Sequence, residues 1–122
     1  REIYIKAFEL AVKLSNPVAI MSSYNHLNDV KVSENYTMIT EIPRDEWKWE
    51  GVFFTDWGND SSHIYELRAG HDMKMSTGEI DNVTKALDTG ELERKQVEKS
   101  AERVLNMLMK IKRVQILLEK EQ

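Results

Sequence analysis

Apolar positions follow two different periods along this chain, one helical and one typical of strands. Near the start they recur at helical spacing, which predicts a helix that begins at or close to Arg1. Its apolar face comprises Ile3, Ala7, Leu10, Ala11 and Leu14. The helix ends at Asn16-Pro17, because a residue that precedes proline avoids helical geometry. Continuous apolar runs follow at residues 18–21 and 51–55, with the length of strands buried on both faces.

Glycines, caps and polar stretches divide the rest of the chain into helices. A polar loop is predicted from residue 26, and then a short helix with Ser33 as its cap and with an awkward proline, Pro43. Further helices are predicted at 61–70 and 76–90, each ending at a glycine, and at 91–122. The last has an apolar stripe formed by Val97, Ala101, Val104, Leu105, Leu108 and Ile111. Residues 71–75 are a weaker candidate for a third strand.

The predicted order is α-β-α-β-α-β-α-α, which indicates an α/β fold built from parallel βα units. A small three-stranded sheet covered by helices is one possibility. A partial (β/α)8 barrel is the other, and it fits better because the first helix has neither a starting methionine nor an N-cap. We therefore expect the chain to be a piece of a longer protein. In such barrels the functional side chains lie at the carboxyl ends of the strands.

The overall composition narrows the class of partner. The chain has 122 residues, 41% of them hydrophobic and 31% charged, with a net charge of −4. An acidic balance argues against nucleic acid as the main partner, because phosphate binding requires a basic face. No apolar run approaches the roughly 18 residues of a membrane span, so no membrane partner is expected. There is no cysteine, and the three histidines are not spaced as a metal site, so we expect neither a metal nor a cofactor.

Asp56 is the strongest candidate for chemistry. It follows the apolar run Val52-Phe53-Phe54, where a carboxylate could act as a nucleophile or base. Trp57 adds a flat apolar face of the kind that packs on a sugar ring. Tyr24 ends the neighbouring predicted strand and could donate a hydrogen bond to Asp56, and Met21 could line the same pocket. Spacing alone leaves a simpler alternative open: aspartate at a strand-to-helix junction commonly caps the next helix.

Several motifs resemble glycoside hydrolase family 3, the β-glucosidase type. That family shows a "SYN" strand end, "SEN", "LRDEWGFDG", a strand ending "SDWG", and "AGLDLEM". The corresponding residues here are Met21, Ser23-Tyr24-Asn25, Asn28, Ser33-Glu34-Asn35, Arg44-Asp45-Glu46-Trp47, Gly51, Thr55-Asp56-Trp57-Gly58 and the segment "AGHDMKM" at 69–75. The similarity runs in order over nearly the whole chain. Asp29 stands where the family usually has glycine, so a different loop shape is expected there.

The resemblance implies that residues 1–122 are the C-terminal portion of the family's barrel domain, with about its last three strands. It implies a retaining hydrolase that releases terminal β-D-glucosyl or related residues. Asp56 matches the family's nucleophile, and Trp57, Tyr24 and Met21 match residues that shape the sugar pocket. A tryptophan after the aspartate is typical of the β-glucosidase and β-xylosidase branch.

The same resemblance implies that much of the site is missing from this chain. The acid/base and several sugar-binding residues of the family lie on other segments, so we expect the isolated chain to be inactive. An incomplete barrel also exposes strand edges and apolar faces, which invite pairing with a second copy. We therefore expect a homo-oligomer. The rival interpretation is a non-catalytic α/β or helical interaction module in which Asp56 is only a cap.

Overall fold

The computed structural model describes residues 1–75, 78–111, 116 and 119. Its α-helices are α1 (Lys6–Ser15), α2 (His63–Ala69), α3 (Ile80–Thr89) and α4 (Arg94–Lys110). Its strands are β1 (Ala19–Met21), β2 (His26–Leu27), β3 (Val30–Lys31) and β4 (Val52–Phe54). A 3-10 turn at Val32–Glu34 and a π-helix at Thr37–Glu46 complete the elements.

The central sheet is parallel, which confirms the predicted α/β class and a partial barrel of βα units. β1 lies beside β4, with Ala19 opposite Val52 and Met21 opposite Phe54. The predicted third strand is reduced to one parallel bridge between Phe54 and Met73 on the other side of β4. The carboxyl ends of all three segments therefore lie at the same edge of the sheet.

A short hairpin occupies the stretch that the sequence predicted to be a loop. β2 and β3 pair antiparallel, and the turn between them is Asn28-Asp29. Both turn residues have positive φ, 51° and 65°. A two-residue hairpin turn of this kind requires left-handed backbone, which asparagine and aspartate tolerate better than most residues. The prediction of an irregular loop was wrong because it considered only the polarity of this pair.

Pro43 lies inside the π-helix without breaking it. The helix is wider than an α-helix, and at its end the Trp47 amide donates to the Ile42 carbonyl, five residues back, at 3.1 Å. The ring of Pro43 removes one amide donor, while its own carbonyl accepts from the Trp49 amide at 2.9 Å. The predicted short helix therefore exists, in a π rather than an α geometry.

Two clusters form the core. The first is built around Trp49, whose ring meets Phe53 edge-on at 4.9 Å between centroids and whose indole N–H donates to the Pro17 carbonyl at 2.7 Å. Val12, Ile39 and Ala69 complete it. The second joins α2, α3 and the turn before α4 through Leu67, Ala86 and Leu92.

Several predicted apolar faces are not buried in this chain. In α1 the buried residue is Val12, whereas Ile3 and Leu14 of the predicted face are more than 80% exposed. β1 is half-buried rather than covered on both faces. In α4 the buried residue is Ser100, while Leu105 and Leu108 are exposed. The periods were correct, but the tertiary packing uses other positions.

The element bounds also differ at the chain ends. Residues 2–5 form a turn, and α1 begins at Lys6 rather than at Arg1. The last helix ends at Lys110, where Ile111 has an extended backbone. Residues 112–115, 117–118 and 120–122 of its predicted continuation, and residues 76–77 before α3, lie outside the described residues. Among the helices that the structure describes, none combines the length and the apolar character needed to cross a bilayer.

Candidate active site

Asp56 lies just beyond the carboxyl end of β4, where the neighbouring segment fixes the backbone. The Thr55 amide donates to the Met73 carbonyl at 3.0 Å, and the Thr55 hydroxyl accepts from the Met75 amide at 2.9 Å. Thr55 is fully buried, whereas Asp56 is half-buried and can reach solvent. The strand therefore places a carboxylate at an accessible edge on a rigid base.

Tyr24 converges on Asp56 from the neighbouring strand end. Its hydroxyl donates to the Trp57 carbonyl at 3.0 Å. Interaction with the Asp56 carboxylate, followed by desolvation, holds the pKa of the Tyr24 hydroxyl above its ordinary value. A tyrosine has a single hydroxyl proton, and here the Trp57 carbonyl accepts it. The side chain stays protonated and is a hydrogen-bond donor at the edge where Asp56 lies.

The helix-cap interpretation of Asp56 does not hold. Oδ1 of Asp56 accepts from the amide of the next residue, Trp57, at 2.7 Å. The following helix, α2, begins only at His63, and its N-cap position is Ser62. The Ser62 amide donates to Glu34 at 2.7 Å, so a carboxylate from another segment serves the start of that helix.

The remaining predicted site residues lie at the same edge and are exposed, as Tyr24 is. Trp57 is 59% exposed and Met21 is 48% exposed. Met21 is related to Asp56 through the strand register, since it lies opposite Phe54. The structure thus links Tyr24 to the Trp57 carbonyl and the Trp57 amide to Asp56. Met21 lies on the neighbouring strand end, exposed to solvent.

The loop after Asp56 is anchored by residues to which the sequence analysis gave no role at the site. The Asn59 amide nitrogen Nδ2 donates to the buried Ser33 hydroxyl at 3.2 Å, and Lys31 of the hairpin pairs with Asp60 at 2.6 Å. Lys74 donates to the Ser61 carbonyl at 2.5 Å. The one available signal was Lys74, a cation that directly follows an apolar residue at a predicted strand end.

A buried histidine, His71, contacts the residue that follows β1. His71 Nε2 lies 2.9 Å from the Ser22 hydroxyl, and its Nδ1 faces the Asp72 amide at 3.2 Å. Since Nδ1 accepts from that amide, we assign the ring proton to Nε2, which donates to Ser22. Burial, and then the nearby Arg44 charge, lower the pKa of His71 to about 3. The ring is therefore neutral at ordinary pH.

A second aspartate, Asp72, anchors β4 at Phe53, nearer the amino end of the strand than Asp56 is. Asp72 Oδ2 accepts from the Phe53 amide and from Arg44, both at 2.8 Å, and Oδ1 accepts from Arg103 at 2.6 Å. Ser100 donates to the Asp72 carbonyl at 3.0 Å. This cluster joins the π-helix, β4 and α4.

A family model described as the glycosyl hydrolase family 3 N terminal domain matches residues 1–107. The chain belongs to glycosyl hydrolase family 3. Beta-glucosidase A of Butyrivibrio fibrisolvens is 43% identical to it over 99 residues, which are 81% of this chain and 12% of that relative. An exo-alpha-(1->6)-L-arabinopyranosidase of Bifidobacterium breve is 35% identical, over 90% of this chain and 15% of that relative.

Solved family 3 structures share the fold. Beta-glucosidase 3B from Thermotoga neapolitana in complex with glucose superimposes with a TM-score of 0.85 at 33% identity, covering 89% of this chain and 17% of that chain. The beta-glucosidase from Kluyveromyces marxianus in complex with glucose gives 0.86 at 33% identity, covering 98% and 14%. The chain thus spans only a small part, 12% to 15%, of the length of the curated relatives named above.

Proposed function

We propose that the protein containing this chain hydrolyses β-linked glycosides and releases a terminal glucosyl or related residue, with Asp56 as the nucleophile of a retaining mechanism. The convergence of Tyr24 and Asp56 at adjacent parallel strand ends carries this proposal. The names of the family 3 relatives support the reaction class. Residues 1–122 would then be the C-terminal portion of the barrel domain.

The chemistry assigned to Asp56 is a double displacement. Its carboxylate attacks the anomeric carbon while an acid protonates the leaving group, and water then cleaves the glycosyl ester. The Trp57 amide is the donor that orients the carboxylate for this attack, and the Tyr24 hydroxyl holds the Trp57 carbonyl in place beside it. Trp57, Tyr24 and Met21 would form the walls against which the sugar packs.

The acid/base is proposed to come from outside this chain. A retaining enzyme places its two carboxyl groups about 5–5.5 Å apart. Three acidic side chains near the loop are already engaged: Asp60 by Lys31, Glu34 by the Ser62 amide, and Glu66 by Ser61. We therefore expect the isolated 122-residue chain not to hydrolyse aryl glycosides, because these three described acids near the loop are not free to protonate the leaving group.

The sugar specificity has two candidates. Relatives named as beta-glucosidases favour a β-D-glucoside. The relative named as an exo-alpha-(1->6)-L-arabinopyranosidase matches this chain at similar identity, which favours testing an α-L-arabinopyranoside beside it. The ratio of kcat/KM for the two aryl glycosides decides between them.

Replacement of Asp56 tests the nucleophile directly. In the complete gene product, Asp56→Ala should lower the hydrolysis of an aryl β-glucoside on the order of a thousandfold or more, the scale of losing a nucleophile. Azide should then restore turnover and give the α-glycosyl azide, because the small anion enters where the carboxylate stood. Asp88→Ala, an exposed residue of α3, is the matched control and should keep full activity.

The outcome separates the two classes of function. Full activity in Asp56→Ala would remove the nucleophile proposal. Complete absence of glycosidase activity in the unaltered full protein would favour the non-catalytic interaction module instead.

The proposed oligomer rests on exposed apolar side chains. Ile3, Tyr4 and Leu14 of the first turn and α1 are all more than 80% exposed. We expect two copies of the isolated chain to cover such faces. Light scattering at micromolar concentration should give the mass of a dimer, and a monomeric mass would contradict this.

A further inference from the structure

Lys74 carries a positive charge into the layer beneath the loop that follows Asp56. Its side chain is only 8% exposed. The ammonium donates to the Ser61 carbonyl at 2.5 Å and reaches the Asn59 carbonyl at 3.5 Å. An ammonium has three donors and no acceptor, so it can hold two backbone carbonyls of one segment together and still face an acid.

Two carboxylates balance this charge. Glu66 of α2 lies 3.4 Å from the Lys74 ammonium, and Glu79 lies 3.6 Å from it. Glu66 is 1% exposed and also binds the Ser61 hydroxyl. Burial raises the pKa of Glu66, and the contacts with Ser61 and Lys74 oppose that rise. The two members of this buried ion pair therefore both hold Ser61: Lys74 binds its carbonyl and Glu66 binds its hydroxyl.

The anchored segment leads back to the reactive carboxylate within a few residues. The backbone amide of Asn59 donates to the Asp56 carbonyl at 3.4 Å, and the side-chain oxygen of Asn59 accepts from the backbone amide of Ser61 at 3.1 Å. Gly58, between them, has a φ of +75° and no neighbour that would restrain a side chain there. The Lys74 contacts therefore limit where this loop can place Asp56 and Trp57.

We propose that Lys74 is a positioning residue that acts, through the 59–61 segment and with Glu66, on the geometry of Asp56 and Trp57. This inference rests on the proposed function of Asp56.

The test compares Lys74→Met with Lys95→Met in the complete gene product. Methionine keeps much of the volume of Lys74 and removes its donors and its charge. Lys95 makes an exposed pair with Glu93, so its loss is a matched control. We expect kcat to fall about 10- to 100-fold in Lys74→Met, the scale of a displacement of about 1 Å, with KM changed less than about threefold. Lys95→Met should match the parent.

A second readout is independent of catalysis. Hydrogen exchange of the 57–62 backbone amides should be faster in Lys74→Met and unchanged in Lys95→Met. Glu66→Gln keeps the size of the side chain but removes the charge that faces Lys74, so it should shift both measurements in the same direction by a smaller factor. It also serves as the deciding variant if Lys74→Met does not fold.

The outcomes distinguish this inference from the function on which it rests. If Asp56→Ala abolishes activity but Lys74→Met and Glu66→Gln keep the parent kcat and the parent amide exchange, Lys74 has no positioning role. If exchange rises and kcat does not fall, the anchor holds the loop but not the carboxylate, and the proposal is equally overturned. If Asp56→Ala is active, the proposed nucleophile itself is wrong.

Discussion

Two aspartates lie near β4, and their surroundings differ sharply. Asp72, which binds β4 at Phe53, is 7% exposed, and its carboxylate accepts from two guanidinium groups and one backbone amide. Asp56, at the carboxyl end, accepts from one backbone amide and faces the Tyr24 hydroxyl. The hydrogen-bond acceptor positions of the carboxylate are thus mostly occupied at Asp72 and mostly available at Asp56.

This difference shows how one strand can serve two purposes. A carboxylate has about four acceptor positions, and at Asp72 most of them hold parts of the fold together. Such a group has little capacity left for a substrate. At Asp56 the backbone is held by the hydrogen bond between Thr55 and Met73. The position of the carboxylate is therefore fixed while most of its acceptor positions stay available. We therefore expect Asp56 to take part in chemistry and Asp72 to contribute to stability.

The largest predicted effect on stability is at Asp72. Asp72→Asn leaves the partly buried Arg44 and Arg103 without their counter-charge, and breaking a buried pair typically costs about 3–5 kcal/mol. The free energy of unfolding from a urea titration should fall by that amount.

Asp56→Asn is the matched substitution beyond the carboxyl end of the strand. The carboxylate is half-buried and binds one backbone amide, so the free energy of unfolding should change by less than about 1 kcal/mol. Equal destabilisation by the two substitutions would refute the division of roles between the aspartates.

The next largest effect is a dependence of folding stability on pH, which arises at His71. Its folded pKa of about 3 lies below the ordinary value of 6.5, so the unfolded chain binds the extra proton more readily. Stability from the neutral ring is complete above pH 6.5 and is lost as the pH falls toward 3. The thermal unfolding midpoint should therefore decline through this range. In His71→Leu the decline should be shallower, and an unchanged slope would exclude His71 as its source.

Smaller effects than that of Asp72→Asn are expected at two glycines, one before and one after β4. A Cβ at Gly51 would collide with the Trp49 ring, so Gly51→Ala should cost about 1–3 kcal/mol through overpacking. At Gly58 no heavy atom lies within 4 Å of an added Cβ, but φ is +75°. Gly58→Ala should therefore cost only about 1–2 kcal/mol, through backbone strain. Denaturation should rank them in this order, and catalysis in the full protein should be more sensitive to Gly58→Ala.

Much of the element order was predictable because local signals agree with the tertiary structure. Gly70 and Gly90 end α2 and α3 in left-handed geometry, as their positions after apolar helical stretches indicate. The run at residues 51–55 contains β4. The hairpin at Asn28-Asp29 and the π geometry around Pro43 were missed, because each depends on backbone conformations that polarity and period do not report.

By itself, the sequence determined the α/β class, the family resemblance and the choice of Asp56, Tyr24 and Trp57, because these follow from short motifs and from the placement of polar residues after apolar runs. Only the tertiary structure decided that Asp56 is not a cap, that Asp72 is a saturated anchor, and that Lys74 reaches under the Asp56 loop. Those facts depend on contacts between segments far apart in the chain. A local pattern identifies a side chain that can do chemistry, whereas packing decides how many of its acceptors remain open.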